Sequence, residues 1–219
     1  MESIATGESR PFYPFLKRLF DLAFSVGFIA FFSPLYLAIA CAIKLDSRGP
    51  IFYVGKRLGK GGKHITILKF RTMFIDAEER LEEMLEKSPE VQEEREVFQK
   101  LKQDPRCTRI GKFLRKTSLD EFPQFFNVLR GNLSVVGPRP HYIFELEENE
   151  KSPLKKYAHL VLAVKPGITG LWQISGRSHL SYEDRVELDS LYYKKQSLLY
   201  DLYVVLKTIP LVLSFRGAV

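Results

Sequence analysis

Hydrophobic positions along the chain change period several times, and each change marks an element. The first is an unbroken apolar run from Leu22 to Ile43. At about 22 residues it could cross a hydrocarbon core of about 30 Å as a helix. It is longer than the apolar region of a cleaved signal, and Cys41-Ala42-Ile43-Lys44 does not read as a small-residue cleavage site. Lys17 and Arg18 flank the run on one side, Lys44 and Arg48 on the other, so the positive-inside bias would keep both ends on the cytoplasmic face. Ser33-Pro34 lies midway, where a helix loses a ladder bond and bends. A re-entrant hairpin over residues 16–46 is therefore favoured over a single spanning helix, with an N-terminal tail over residues 1–15. Two legs of about 12 residues would each reach roughly 18 Å. The Ser33 hydroxyl is the local candidate to satisfy the carbonyl freed near Ala30.

After the run the pattern turns to alternation. IFYVGKRLGKGGKHITILKFRTM predicts two short strands joined by a glycine-rich loop, with Lys69 and Arg71 on one strand face. Residues 75–103 are charged and predict a solvent-exposed helical insertion, broken at Ser88-Pro89. DPRCTRIGKFLRK is basic and amphipathic, with Ile110, Phe113 and Leu114 as its apolar face, and could lie in a headgroup region. Pro123 has no N–H, so the next helix should start near residues 119–122, bury Phe122, Phe126 and Leu129 on one face, and stop at Gly131. IFELEENEKSPLKKY reads as an acidic surface helix. The closing apolar stretch, interrupted by Asp201, Lys207 and Pro210, suits an interfacial or buried helix better than a span. The predicted class is α+β, mainly helical: a re-entrant membrane hairpin plus a small cytosolic domain over residues 47–219, with a short β-hairpin and interfacial amphipathic helices.

Charge narrows the partners. The 219 residues carry a net charge of +7, which points to an anion: nucleic acid, an anionic membrane surface or a phosphorylated substrate. Cys41 and Cys107 lack metal-ligand spacing, which favours a reduced compartment over a disulfide framework. His64, His141, His159 and His179 also lack such spacing and read as structural or surface residues. The glycine-rich loop does not fit the phosphate-loop consensus, so no nucleoside triphosphate site is read there.

Candidate chemistry centres on Thr117 to Pro140. Asp120 and Glu121 stand at a helix N-terminus, whose dipole keeps carboxylates ionised and also welcomes phosphate. Neighbours on an α-helix point roughly 100° apart, so the two cannot aim at one atom unless helicity breaks, and separate roles are the simpler reading. Ser118 and Glu121 also fit a capping box, in which case the acids only start a helix. Arg115 and Lys116 lie just upstream, and Arg139 is held between Pro138 and Pro140. Farther on, VKPGITGLWQISGR brings Gly167, Gly170 and Gly176, whose loop amides could surround phosphate, together with Lys165, Arg177 and Trp172. Trp172 could stack on a base or fill a core.

FDLAFSVGFIAFFSPLYLAIA, KFRTM, DPRCTRIGKFLRKTSLDEFPQFFNVLRGNLSVVGPRP and VKPGITGLWQISGR together resemble the bacterial sugar transferase family, the monotopic phosphoglycosyl transferases. The resemblance implies an enzyme of the bacterial inner membrane with a cytoplasmic catalytic domain. It would move a sugar-1-phosphate from a UDP-sugar, galactose or glucose by type, to undecaprenyl phosphate, releasing UMP and starting an O-antigen, lipopolysaccharide or exopolysaccharide chain. Mg²⁺ is the implied cofactor. Asp120 is the implied nucleophile, carrying a covalent phosphosugar, and Asp120 with Glu121 the implied metal site. Lys69, Arg71, Arg115, Arg139 and Arg177 fall on the family's cations, for which phosphate neutralisation is the physical role, and Ser33-Pro34 falls on its helix break. The charged insertion resembles the longer members, which carry further membrane helices before this core. Nucleic acid is not an implied partner, and a homodimer stays open. The alternative from another class is a non-catalytic, basic, membrane-tethered module that binds anionic lipid or nucleic acid, with Asp120 and Glu121 reduced to a helix cap.

Overall fold

A computed structural model describes residues 12–87, 104, 106–147 and 149–214. Its first element, α1 (Tyr13–Asp46), is one continuous helix with Pro34 inside it, so secondary structure does not divide into the two legs expected over residues 16–46. A bond explains the continuity. Pro34 cannot donate to the carbonyl of Ala30, and the Ser33 hydroxyl donates to that oxygen instead, at 2.9 Å. Straight, a helix of 34 residues would run about 51 Å. Both of its ends are nonetheless tied to the same body. Near the start, Lys17 pairs with Asp201 at 3.0 Å and Tyr13 donates to the same carboxylate at 3.1 Å. At the far end, Asp46 accepts from the Ile110 N–H at 3.0 Å. Between them a stripe through Phe20, Phe24, Phe28, Tyr36, Ile39 and Ile43 packs inward, while Val26, Phe31, Leu37 and Leu45 on the other flanks stay exposed.

The predicted β-hairpin forms as β1 (Phe52–Leu58) against β2 (His64–Phe70), antiparallel from Phe52↔Phe70 to Leu58↔His64. A 3₁₀ turn at Lys60–Gly62 closes it, with Gly61 and Gly62 both at positive φ. Helix α2 (Ala77–Lys87) supplies the first half of the charged insertion; the half after Ser88 lies outside the described residues. Helix α3 (Arg109–Thr117) is capped by Thr108 and buries Leu114 but leaves Phe113 outward, so its apolar face is split.

Helix α4 (Gln124–Arg130) differs from its predicted packing. Phe125 and Val128 point into the core, whereas Phe122 and Phe126 meet α1. Phe125 faces both the core and α1, since Phe28 of α1 stacks on it with centroids 3.9 Å apart while standing edge-on to Phe122 at 4.8 Å.

Two further strands, β3 (Ser134–Val136) and β4 (Gly167–Thr169), pair in parallel. At three residues each they are too short to show a period, and sequence reading missed them. Their crossing depends on glycine: a Cβ on Gly167 would stand 2.1 Å from the Gly137 nitrogen. The single acidic helix expected over residues 143–157 is two, α5 (Phe144–Glu147) and α6 (Pro153–Val161), since Ser152 caps a new start with Pro153 in its first turn. Then come α7 (Leu171–Ser175), α8 (Tyr182–Lys195) and α9 (Leu198–Leu213). Helix α9 buries Asp201, Val204 and Val205 and exposes Leu199, Leu206, Ile209 and Leu213, so it is core on one face and apolar surface on the other. The main core gathers Ile67, Phe125, Val128, Leu133, Val136, Tyr192 and Val204, under the carboxylate pair and against α1.

Candidate active site

Helix α3 ends when Ser118 enters the left-handed region at φ 58°, which turns the chain before Leu119–Glu121 forms a single 3₁₀ turn. Only after Pro123 does α4 begin, so Asp120 and Glu121 precede the helix rather than open it. The capping box is absent. Ser118 makes no side-chain cap, and Glu121 reaches sideways to Lys69. The break in helicity lets adjacent acids converge on one atom: Lys69 Nζ is 2.6 Å from Glu121 and 3.8 Å from Asp120.

Burial sets the electrostatics of the pair. Asp120 is buried while Glu121 is half-exposed. The Asp120 carboxyl is raised to about 6, chiefly by burial and also by the Glu121 charge beside it, against the downward pull of Lys69 and Arg115. Burial opposes the charge of Lys69, but Glu121 and Asp120 outweigh it and hold the ammonium above its ordinary range. Arg115 donates from Nε to Thr72 Oγ1 at 3.0 Å, which fixes its stem while its charge reaches Asp120. Arg177 sits at φ 51°, an unusual region for a side chain of its size, and its charge feels Glu121. Lys69, Arg115 and Arg177 thus gather around the two acids.

The other two predicted cations go elsewhere. Arg71 donates to the carbonyls of Arg48 and, at 2.9 Å, Ser47, closing the C-terminal end of α1. Strand β2 ends at Phe70, so the alternation that would place Arg71 beside Lys69 ends with it. Arg139 gives its backbone N–H to Asp189 at 3.1 Å and sets its guanidinium 5.7 Å from the Tyr142 ring centroid. It belongs to a buried group that sequence reading passed over. His141 lies between Glu145 at 3.2 Å and Asp189 at 3.4 Å. Burial works against its charge, yet the two carboxylates hold the imidazole above its usual value. The spacing of His141 and Glu145 was the available signal, hidden in a stretch that reads as an acidic surface. Two amides of the glycine run are already spent and not open to phosphate: the Gly167 N–H donates to Pro138 O at 2.8 Å and the Gly176 N–H to Trp172 O. Trp172 is half-buried and carries Arg185 over its ring at 5.4 Å.

Among the described residues no group of three or more His, Cys, Asp or Glu is placed to hold a metal ion. Two carboxylates meet, at Asp120 and Glu121. That donor set fits Mg²⁺, which is commonly held by one or two carboxylates together with substrate phosphates rather than by an all-protein cage.

Residues 12–215 match the bacterial sugar transferase family. The chain belongs to that family. Within it, an exopolysaccharide production protein, ExoY, of Rhizobium meliloti is 44% identical over 213 residues, 97% of this chain and 92% of that one. An undecaprenyl-phosphate galactose phosphotransferase of Salmonella typhimurium is 44% identical over 207 residues, 93% of this chain but 42% of its own length. A UDP-glucose:undecaprenyl-phosphate glucose-1-phosphate transferase of Klebsiella pneumoniae is 41% identical over 198 residues, 88% of this chain and 39% of that protein. The chain thus spans nearly all of one kind of relative and about two fifths of the other. In this chain the convergence of Asp120, Glu121 and Lys69 is not explained as helix capping, the role that the non-catalytic reading gave the two acids.

Proposed function

We propose that the chain is a phosphoglycosyl transferase that moves a sugar-1-phosphate, galactose- or glucose-type, from a UDP-sugar to undecaprenyl phosphate and releases UMP. The observation that carries this reading is a buried carboxylate, Asp120, held 3.8 Å from Lys69 on a turn rather than in a helix. In the first step an Asp120 oxygen attacks the sugar-bearing phosphorus; the bond to UMP breaks, and UMP leaves with the electron pair. In the second step an oxygen of the lipid phosphate attacks the same phosphorus, and Asp120 leaves as a carboxylate. An anion attacking a pyrophosphate meets charge repulsion, so Lys69, Arg115 and Arg177 serve to neutralise phosphoryl oxygens as they approach. Mg²⁺, held by Asp120 and Glu121, would supply further neutralisation.

The relation of this turn to α1 supports catalysis at a membrane surface. Phe122, next to Glu121, touches Phe28 and Phe32, and its carbonyl accepts from Tyr36 at 2.6 Å. The carboxylates therefore stand against the apolar helix that would hold the domain at the membrane, close to a lipid-borne acceptor. Both ends of α1 bonding one body supports a re-entrant, monotopic placement, with the catalytic domain on the cytoplasmic face of the inner membrane. The names of the relatives support surface-glycan synthesis as the setting.

The covalent route predicts a burst. Incubated with UDP-galactose or UDP-glucose and Mg²⁺ but no lipid, the enzyme should release up to one UMP per chain and carry a sugar-phosphate adduct on the peptide containing Asp120, seen by mass spectrometry after acid quench. An enzyme active with lipid that shows neither burst nor adduct would instead pass the phosphosugar directly between substrates in one ternary complex.

A further inference from the structure

At the other end of both β2 and α4 lies a second basic site that the transfer reaction does not use. Lys69 is five residues along β2 from His64, roughly 16 Å away at strand rise. There the hairpin tip, the last turn of α4 and Lys165 enclose an open cleft of about 470 Å³, lined by Lys60, Lys63, Arg130 and Lys165 with Asn132 and Ile65. No carboxylate lines it. Among the described residues these four cations make no ion pair or hydrogen bond, although carboxylates pair with Lys17 and Lys69 nearby.

Like charges are also pressed together here. Gly131, at φ 82°, leaves room for Lys165 Nζ and the Arg18 guanidinium, which stand 3.5 and 3.8 Å from where its Cβ would be. Burial, then Arg18, lower the proton affinity of Lys165; Asp21 opposes them, and Lys60 adds a smaller push the same way as Arg18. Arg18 is itself committed, donating to the last carbonyls of α4 at Val128 and Leu129. The local repulsion is a standing cost that a bound anion would relieve.

The walls select the anion. No aromatic side chain lines the cleft, so nothing offers a stacking surface for a nucleobase. Ammonium and guanidinium donors beside an amide suit phosphate oxygens. Arg18 leads from the cleft onto the flank of α1 that carries the exposed Phe15 and Leu19, a surface fit for acyl chains. We propose that this cleft holds the phosphate of an anionic phospholipid headgroup, with the acyl chains lying along the first turns of α1. The site is separate from Asp120 and does not depend on the transfer activity.

Calorimetric titration of the detergent-purified full chain tests this, with short-chain phosphatidylglycerol, short-chain phosphatidylcholine and inorganic phosphate as probes. Phosphatidylglycerol should bind saturably and at least tenfold tighter than either other probe. The double substitution Lys60→Ala with Arg130→Ala removes two exposed charges and should weaken it about tenfold, while Lys60→Arg with Arg130→Lys should restore most of the affinity. Raising salt from 0.1 to 1 M shortens the screening length from about 10 to about 3 Å and should weaken binding further. Equal affinity for the two lipids, no effect of the alanine pair, or failure of the charge-retaining pair to rescue would overturn the proposal. Inorganic phosphate binding as tightly as the anionic lipid would make this a site for free phosphate and overturn the headgroup assignment.

Discussion

At the scale of the residue, Asp120 holds two properties in tension. Its carboxyl is raised to about 6 from an ordinary 3.8, chiefly by burial, so the folded chain prefers it protonated. The ionised form that the proposed attack requires therefore costs stability. That cost is absent below about pH 4, where the group is protonated both folded and unfolded, and is fully present above about pH 6. Asp120→Asn should abolish turnover yet raise unfolding stability at pH 7.5 by about 1–3 kcal/mol, the order of a shift near two units, with the gain vanishing toward pH 4. Denaturant melts at the two pH values check both halves. The same shift gives wild-type kcat/KM an acid limb: about tenfold below its plateau at pH 5, measured against the nucleotide sugar. The acids and Lys69 were legible in the sequence as residue types. Their convergence was not, because it depends on Ser118 turning left-handed and on a 3₁₀ turn in place of a helix, neither of which a hydrophobic pattern encodes. Arg71 and Arg139 show the complementary limit: a basic residue near a motif can be drawn off by unpaired carbonyls or by a buried acid.

At the scale of the element, the long apolar run, the β-hairpin and the start of the charged insertion were all legible, since each sustains a period over seven residues or more. What escaped were β3, β4, α7 and the division of α5 from α6, where the pieces are mostly shorter than one clear period, and also α8, which is 14 residues long and starts at a Ser181–Asp184 capping box that went unread. The parallel pair nevertheless carries the loop that holds Arg139, through bonds such as Gly137 N–H to Thr169 O at 2.9 Å. Gly167→Ala would drive a methyl into the Gly137 backbone. Overpacking against main chain cannot be relieved by a rotamer change, so a loss of about 2–4 kcal/mol is expected, above the usual range for an extra methyl among side chains. Thermal melts would show it. A melting temperature equal to wild type would mean that the strands separate at little cost.

At the scale of the whole molecule, α1 is at once the apolar surface of the chain and one wall of its core. If both of its ends face the cytoplasm, a cysteine engineered at Ser3 should resist a membrane-impermeant thiol reagent in intact cells and react once the inner membrane is opened. Labelling from the periplasmic side would instead establish a spanning helix. Pro34→Ala restores the missing ladder donor and should move part of the population toward spanning, read by the same labelling.

The link from Tyr13 and Lys17 to Asp201 sets a clock on biogenesis. Tyr13 and Asp201 are 188 residues apart, so a ribosome adding about 5–20 residues per second makes the helix roughly 10–40 s before its partner exists. For that interval the helix has lipid as a partner but not α9, and Lys17 has only Asp21 of its own helix to pair with. Membrane engagement therefore comes first, and the domain closes around a helix already in place. Chains interrupted before Ser197 would be caught at that stage, anchored but open, with the inward phenylalanines of α1 available to quality-control proteases.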